Sequence, residues 1–112
     1  MALVNQDFEI YAGDTKNLVV TVTKSDGTIA PLIGDVTVKW VAVRGKDIVI
    51  SKDTTNGIAI TDDANGEFTV RLDSVDTKTL LGSLKHEAVI TDGLGNVSTV
   101  MVGTIKVLAS YV

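Results

Sequence analysis

His86 is the only histidine in the chain and there is no cysteine, so a Ser-His-Asp triad or a histidine general-base site would have to be built on this one imidazole. A Ser-His-Asp arrangement would need Ser83 and one of Asp92 or Asp76 on its two ring nitrogens. The surrounding pattern points elsewhere. Leu84, His86, Ala88 and Ile90 share one parity of an alternating stretch, the face that a half-buried strand turns toward its core. A partly buried, hydrogen-bonded histidine is the expectation, and an enzyme is not expected.

The run Asp62-Asp63-Ala64-Asn65-Gly66-Glu67 offers oxygen ligands of the kind that hold Ca²⁺. Its spacing fails the EF-hand pattern, because Thr61 occupies the first ligand position and no glutamate closes the loop. The Asn65-Gly66 pair accounts for the same residues as a hairpin turn, since both tolerate the left-handed backbone of a type I′ turn. Gly13-Asp14-Thr15 and Gly93-Leu94-Gly95-Asn96 invite a phosphate-loop reading. Neither precedes a helical pattern and neither has the lysine of a P-loop. Lys78 and Lys85 form no basic stripe, and 14 acidic against 10 basic side chains would repel a polyphosphate. With one tryptophan, two tyrosines and two phenylalanines, a stacking surface for single-stranded nucleic acid or a carbohydrate platform is poorly supplied. No cofactor, no metal and no nucleic-acid partner are expected.

The elements that would position these residues read as strands. Asp7 to Tyr11 alternates and ends at the turn signal Ala12-Gly13-Asp14; Thr15 to Lys24 alternates again and closes at Ser25-Asp26-Gly27. The two look like neighbours in one sheet. The only proline, Pro31, marks 28–35 as an irregular edge crossing whose apolar side chains plug the core. Val36 to Arg44 is the central strand, with Val36, Val38, Trp40 and Ala42 on one face and Thr37, Lys39, Val41 and Val43 on the other. Both faces are largely apolar, so cover on both sides is expected, with Trp40 as a core anchor.

Strands follow at Ile48–Lys52, Ile58–Thr61 and Glu67–Leu72, the last with Phe68, Val70 and Leu72 on one face. The period of two is lost over 74–81, where one helical turn capped by Ser74 or Asp76 would stop at Gly82. A strand from Ser83 to Thr91 and the loop Asp92–Asn96 lead into the last strand. There Val100 and Val102 have the opposite parity to Ile105 and Val107, and a β-bulge at Gly103 would keep all four on the core. Without long crossover helices, the fold class is all-β, an antiparallel immunoglobulin-like β-sandwich of about 7–9 strands with one short helical turn, with a small barrel as the alternative. The disulfide and tyrosine corner of antibody domains are absent.

The length of 112 residues suits a single domain spanning 1–112, and 45% apolar with 21% charged side chains is a folding composition. The amino terminus has no basic region and too short an apolar run for a secretory signal, and no stretch approaches a transmembrane length. A small gene product complete from Met1, made in the cytoplasm and without a membrane partner, is the expectation.

Asp7-Phe8-Glu9-Ile10-Tyr11-Ala12-Gly13-Asp14-Thr15, Ser25-Asp26-Gly27, Leu32-Ile33-Gly34 and the Trp40 strand resemble the amino-terminal domain of tailed-phage baseplate upper proteins and related small virion proteins. Gly66 to Leu72, Asp76-Thr77, Leu80, Glu87 to Gly93 and Gly103-Thr104-Ile105-Lys106-Val107 continue the same order, so the likeness covers almost the whole chain. The resemblance implies a virion structural protein, a tail, baseplate or head-appendage module of a phage or prophage, working through protein–protein contacts in a symmetric assembly. Its partners would be other virion proteins or copies of itself, and it carries over no catalytic residues. The alternative from another class is a ligand-binding module of a bacterial surface protein that recognises glycan or protein through its loops. The apolar carboxyl end, Val107 to Val112, either completes the last strand or covers a neighbouring subunit through Leu108, Tyr111 and Val112.

Overall fold

The computed structural model describes residues 3–111. Among the described residues the alternating segments form nine strands: β1 (Val4–Asn5), β2 (Phe8–Tyr11), β3 (Lys16–Thr21), β4 (Thr37–Arg44), β5 (Asp47–Asp53), β6 (Ile58–Asp62), β7 (Glu67–Leu72), β8 (Gly82–Thr91) and β9 (Val97–Leu108), with one helical turn, α1 (Ser74–Thr77), between β7 and β8. They make two sheets. The larger has the order β1-β9-β8-β4-β5 with β2 continuing β1 along β9, and the smaller has the order β3-β7-β6. Two separate sheets around one apolar core give an all-β, sandwich-like fold rather than a barrel.

The core follows the alternation of the strands. Val38, Trp40 and Ala42 of β4, with Leu84, Ala88 and Ile90 of β8, are buried and meet Leu18 and Val20 of β3 and Phe68, Val70 and Leu72 of β7 in one cluster. Trp40 and Phe68, the two largest, are both 0% exposed. The crossing at 28–35 contributes Ala30 and Leu32 to this core, while Ile33 points outward.

Several local expectations are corrected. The first two long strands are not neighbours: β2 pairs with β9 and β3 pairs with β7. The chain changes sheets at Gly13, whose φ of 87° is open to glycine, and the Gly13 N–H donates to the buried Thr77 hydroxyl at 3.1 Å. The sheets are not antiparallel throughout, because β1 and β2 run parallel to β9. The helical turn is capped by Asp73, not by Ser74 or Asp76; the Asp76 carboxylate accepts the Asp73 N–H at 2.7 Å, satisfying a donor the helix leaves free. At the Asn65-Gly66 turn only Gly66 has a positive φ, so the turn is not type I′. A Cβ on Gly66 would stand 2.5 Å from the Ala30 carbonyl oxygen, so the turn lies tight against the Pro31 crossing, where the Leu32 N–H donates to the Asp63 carbonyl at 2.8 Å.

The bulge in β9 lies at Val100, not at Gly103. Ala88 pairs with Met101 and Val89 with Thr99, so the extra residue falls between them, and Val100 and Met101 are both buried. Val102 faces outward, and Ile105 and Val107 return to the core. Gly103 serves a different purpose. A side chain there would collide with the Gln6 carbonyl oxygen and come within 2.6 Å of His86 Nε2. The missing Cβ is what lets the first strand lie against the last.

Trp40→Ala should lower stability by about 3–5 kcal/mol through the cavity it leaves. Gly103→Ala, which adds a single methyl group, should cost about 1–3 kcal/mol by overpacking. Urea unfolding monitored by far-UV circular dichroism measures both, and a Gly103→Ala protein as stable as the parent would contradict the close approach of Gln6.

Candidate functional site

His86 stands in the core at 3% exposure, on the face shared by Leu84, Ala88 and Ile90. Its partners are not Ser83, Asp76 or Asp92. The Trp40 indole N–H donates to His86 Nδ1 at 3.1 Å, and His86 Nε2 lies 2.6 Å from the Gln6 carbonyl oxygen. Since Nδ1 accepts, Nε2 must carry the proton and donate to Gln6. The ring also meets Phe8 edge-on at 5.4 Å. With both nitrogens engaged, the imidazole has no lone pair free to act as a base. Burial pushes its pKa below the ordinary 6.5, against the opposing pull of the Gln6 carbonyl and the Asp7 charge.

The other sequence candidates resolve into turn chemistry. Asp62 accepts from the Asn65 backbone and side-chain amides, Asp63 from Ala64, and Glu67 from Thr61. Asp92 closes the β8–β9 hairpin by accepting from the Leu94 and Asn96 backbone and from the Asn96 side chain. Asp53 holds Thr55 in the same way. These bonds lower the Asp53 and Asp92 pKa values below the ordinary 3.8, since they favour the ionised form. Among the described residues no group of three His, Asp or Glu side chains could hold a metal ion, and every buried side-chain nitrogen or oxygen has a hydrogen-bond partner.

Lys52 shows a signal the sequence reading passed over. It shares the inward face of edge strand β5, pairs with Trp40 in register, and reaches Asp76 at 2.9 Å. Both side chains are mostly buried, at 10% and 15% exposure. The ion pair ties β5 to α1, and an inward charge on an edge strand discourages further strand addition there.

The C-terminal candidates end in different settings. Leu108 is half-buried beside Tyr11, and its carbonyl accepts the Ala12 N–H at 2.8 Å. Tyr111 is 97% exposed, and Val112 lies outside the described residues. Leu108 therefore completes the last strand, whereas Tyr111 stands beyond it.

What the structure leaves open is the outer face of the larger sheet. The expected second cover over β4 is absent from the described residues. Thr37 and Lys39 are exposed and Val41 and Val43 half-buried, with Val102 of β9 half-buried near them. Ile48, which pairs with Val43, is 61% exposed. Val41, Val43, Lys85, Glu87 and Val102 surround a depression of about 430 Å³ whose floor is His86 and Gly103. A second hollow of about 580 Å³, at the corner between Gly13, Ser74, Lys78 and Ala109, is the more polar of the two.

No protein-family model matches the chain, and no curated protein matches its sequence. Among the described residues no helix is long and apolar enough to cross a membrane.

The depressed His86 pKa makes stability fall in acid. The folded state resists a proton that the unfolded chain accepts near pH 6.5, so the contribution is complete above that pH and is lost as pH falls toward the folded value. Denaturation midpoints measured between pH 7.5 and about pH 5 should decline in the parent protein and stay nearly flat in His86→Gln. Parallel slopes in the two would contradict a neutral, buried imidazole.

Proposed function

We propose that this chain is a non-enzymatic virion structural protein, a tail, baseplate or head-appendage module of a phage or prophage that acts through protein–protein contacts. The observation that carries this reading is the outer face of the larger sheet, where half-buried valines and an exposed isoleucine sit on a rigid platform. An apolar strip with a polar margin on a stiff sheet is the kind of surface that buries against another protein. The likeness to baseplate upper proteins supplies the assembly. Leu108, Tyr111 and Val112 remain a further candidate contact, of which Val112 lies outside the described residues, and the protein would be made in the host cytoplasm before joining the particle.

The alternative, a surface module that recognises glycan or protein through its loops, is favoured less by the geometry. The carboxylates of the 53–56, 62–67 and 92–96 loops are occupied by their own backbone and side-chain donors. A ligand would have to compete with bonds that already hold these turns.

Particles purified by density gradient from the strain that carries the gene provide the test. Quantitative mass spectrometry should find peptides of this chain at a fixed ratio to the major tail or head protein. Their absence from intact particles would overturn the reading.

A further inference from the structure

The outer face of the larger sheet carries one charge of each sign on β8, Lys85 and Glu87, beside the valines of β4. Ala42, His86 and Gly103 stand side by side across β4, β8 and β9, all turned toward the core. On either side of that row the outward residues alternate: Val41 and Val43 on β4, Glu87 and Lys85 on β8, Val102 and Thr104 on β9. Lys85 and Glu87 are both exposed, and neither takes part in the intrachain ion pairs found among the described residues.

We propose that this face pairs with the same face of a second copy of the chain, about a two-fold axis perpendicular to the strands at the level of His86. The inference rests on the protein–protein reading above and names its partner. A rotation about that axis lays each strand over its counterpart in reverse direction. Val41 then meets Val43 of the second copy, and Lys85 meets Glu87 of the second copy. The symmetry repeats both contacts, so a patch of four valines is flanked by two ion pairs. Such an isologous contact requires self-complementarity, and the spacing of one residue on each side of the axis supplies it.

The competing arrangement is excluded by charge. An axis parallel to the strands through β8 would set Lys85 against Lys85 and Glu87 against Glu87, and like charges brought together at an interface oppose association. Aligned packing of two sheet faces also matches the usual geometry of stacked sheets, about 10 Å apart. Ile48 extends the apolar strip at its margin.

A charge swap tests the pairing on the full chain. Sedimentation equilibrium across a concentration series should show a reversible dimer for the parent protein. Lys85→Glu and Glu87→Lys, each at an exposed position, should each raise the dimer dissociation constant by about tenfold or more, since each places two like-charge pairs across the axis. The double variant K85E/E87K should return it to within about threefold of the parent, because the pairs reform with reversed sign. Circular dichroism checks that all four proteins are folded. A parent chain that stays monomeric to about millimolar concentration, or a double variant as weak as the single ones, would overturn the proposal. A monomer that is nevertheless a stoichiometric virion component would sink this pairing and leave the structural role standing. A dimer with the predicted swap behaviour that is absent from particles would do the reverse.

Discussion

The hydrogen-bonded chain from the Trp40 indole through the His86 imidazole to the Gln6 carbonyl is the constraint on which the rest of the larger sheet depends. It links the central strand, its neighbour and the amino-terminal segment through one ring, at 3.1 and 2.6 Å. A carbonyl at that point of a strand would ordinarily bond to the adjacent strand. Here β1 and β2 part at Gln6 and Asp7: the Gln6 N–H still bonds to Val102, the Gln6 carbonyl turns inward to His86, and the Asp7 carboxylate accepts the Thr104 N–H at 2.8 Å. The interruption leaves the parallel register unbroken on its two sides. Among the described residues every buried side-chain nitrogen and oxygen is satisfied, which is the condition for placing an imidazole and an indole N–H in an apolar core.

Gly103 makes this arrangement sterically feasible, and the bulge at Val100 makes it consistent with packing. Without the bulge, the residues before and after it could not both supply the core, since a one-residue shift turns every side chain over. With it, Val100 and Met101 are buried at one end of β9 and Ile105 and Val107 at the other, and the glycine falls between them where the first strand needs room. The Lys52–Asp76 pair and the Thr77 hydroxyl on Gly13 perform a comparable service through α1, which fastens the edge of one sheet and the turn between sheets. The consequence is a sheet held from its inner side, with its outer face free for contact.

The parity of Val38, Trp40, Ala42, Leu84, His86, Ala88, Phe68 and Val70 was legible in the sequence, because alternation reports burial on a strand directly. The turns at Gly13, Gly27, Gly66 and Gly95 were legible for a similar reason, as positions where the chain needs a positive φ. Sheet membership was not. Alternation says which side of a strand is buried but not which strand lies next to it, so β2 and β3 looked like partners. The partner of His86 was also hidden, since a backbone carbonyl has no residue type to announce it. Val41 and Val43 were read as a second buried face because hydrophobicity alone cannot separate a covered strand from an exposed interaction strip. Lys52 carried a usable signal, a charge at a core parity on a strand opposite Trp40, whose meaning depends on Asp76 being brought across from α1.

A neutral imidazole, protonated at Nε2, bridges Trp40 and Gln6. Nitrogen-15 NMR of imidazole-labelled protein at pH 7 reads that state directly. The expected spectrum shows a single protonated nitrogen at Nε2, with a slowly exchanging proton coupled to it and a hydrogen-bonded Trp40 indole N–H alongside. A ring protonated at Nδ1, or a doubly protonated imidazolium, would contradict it.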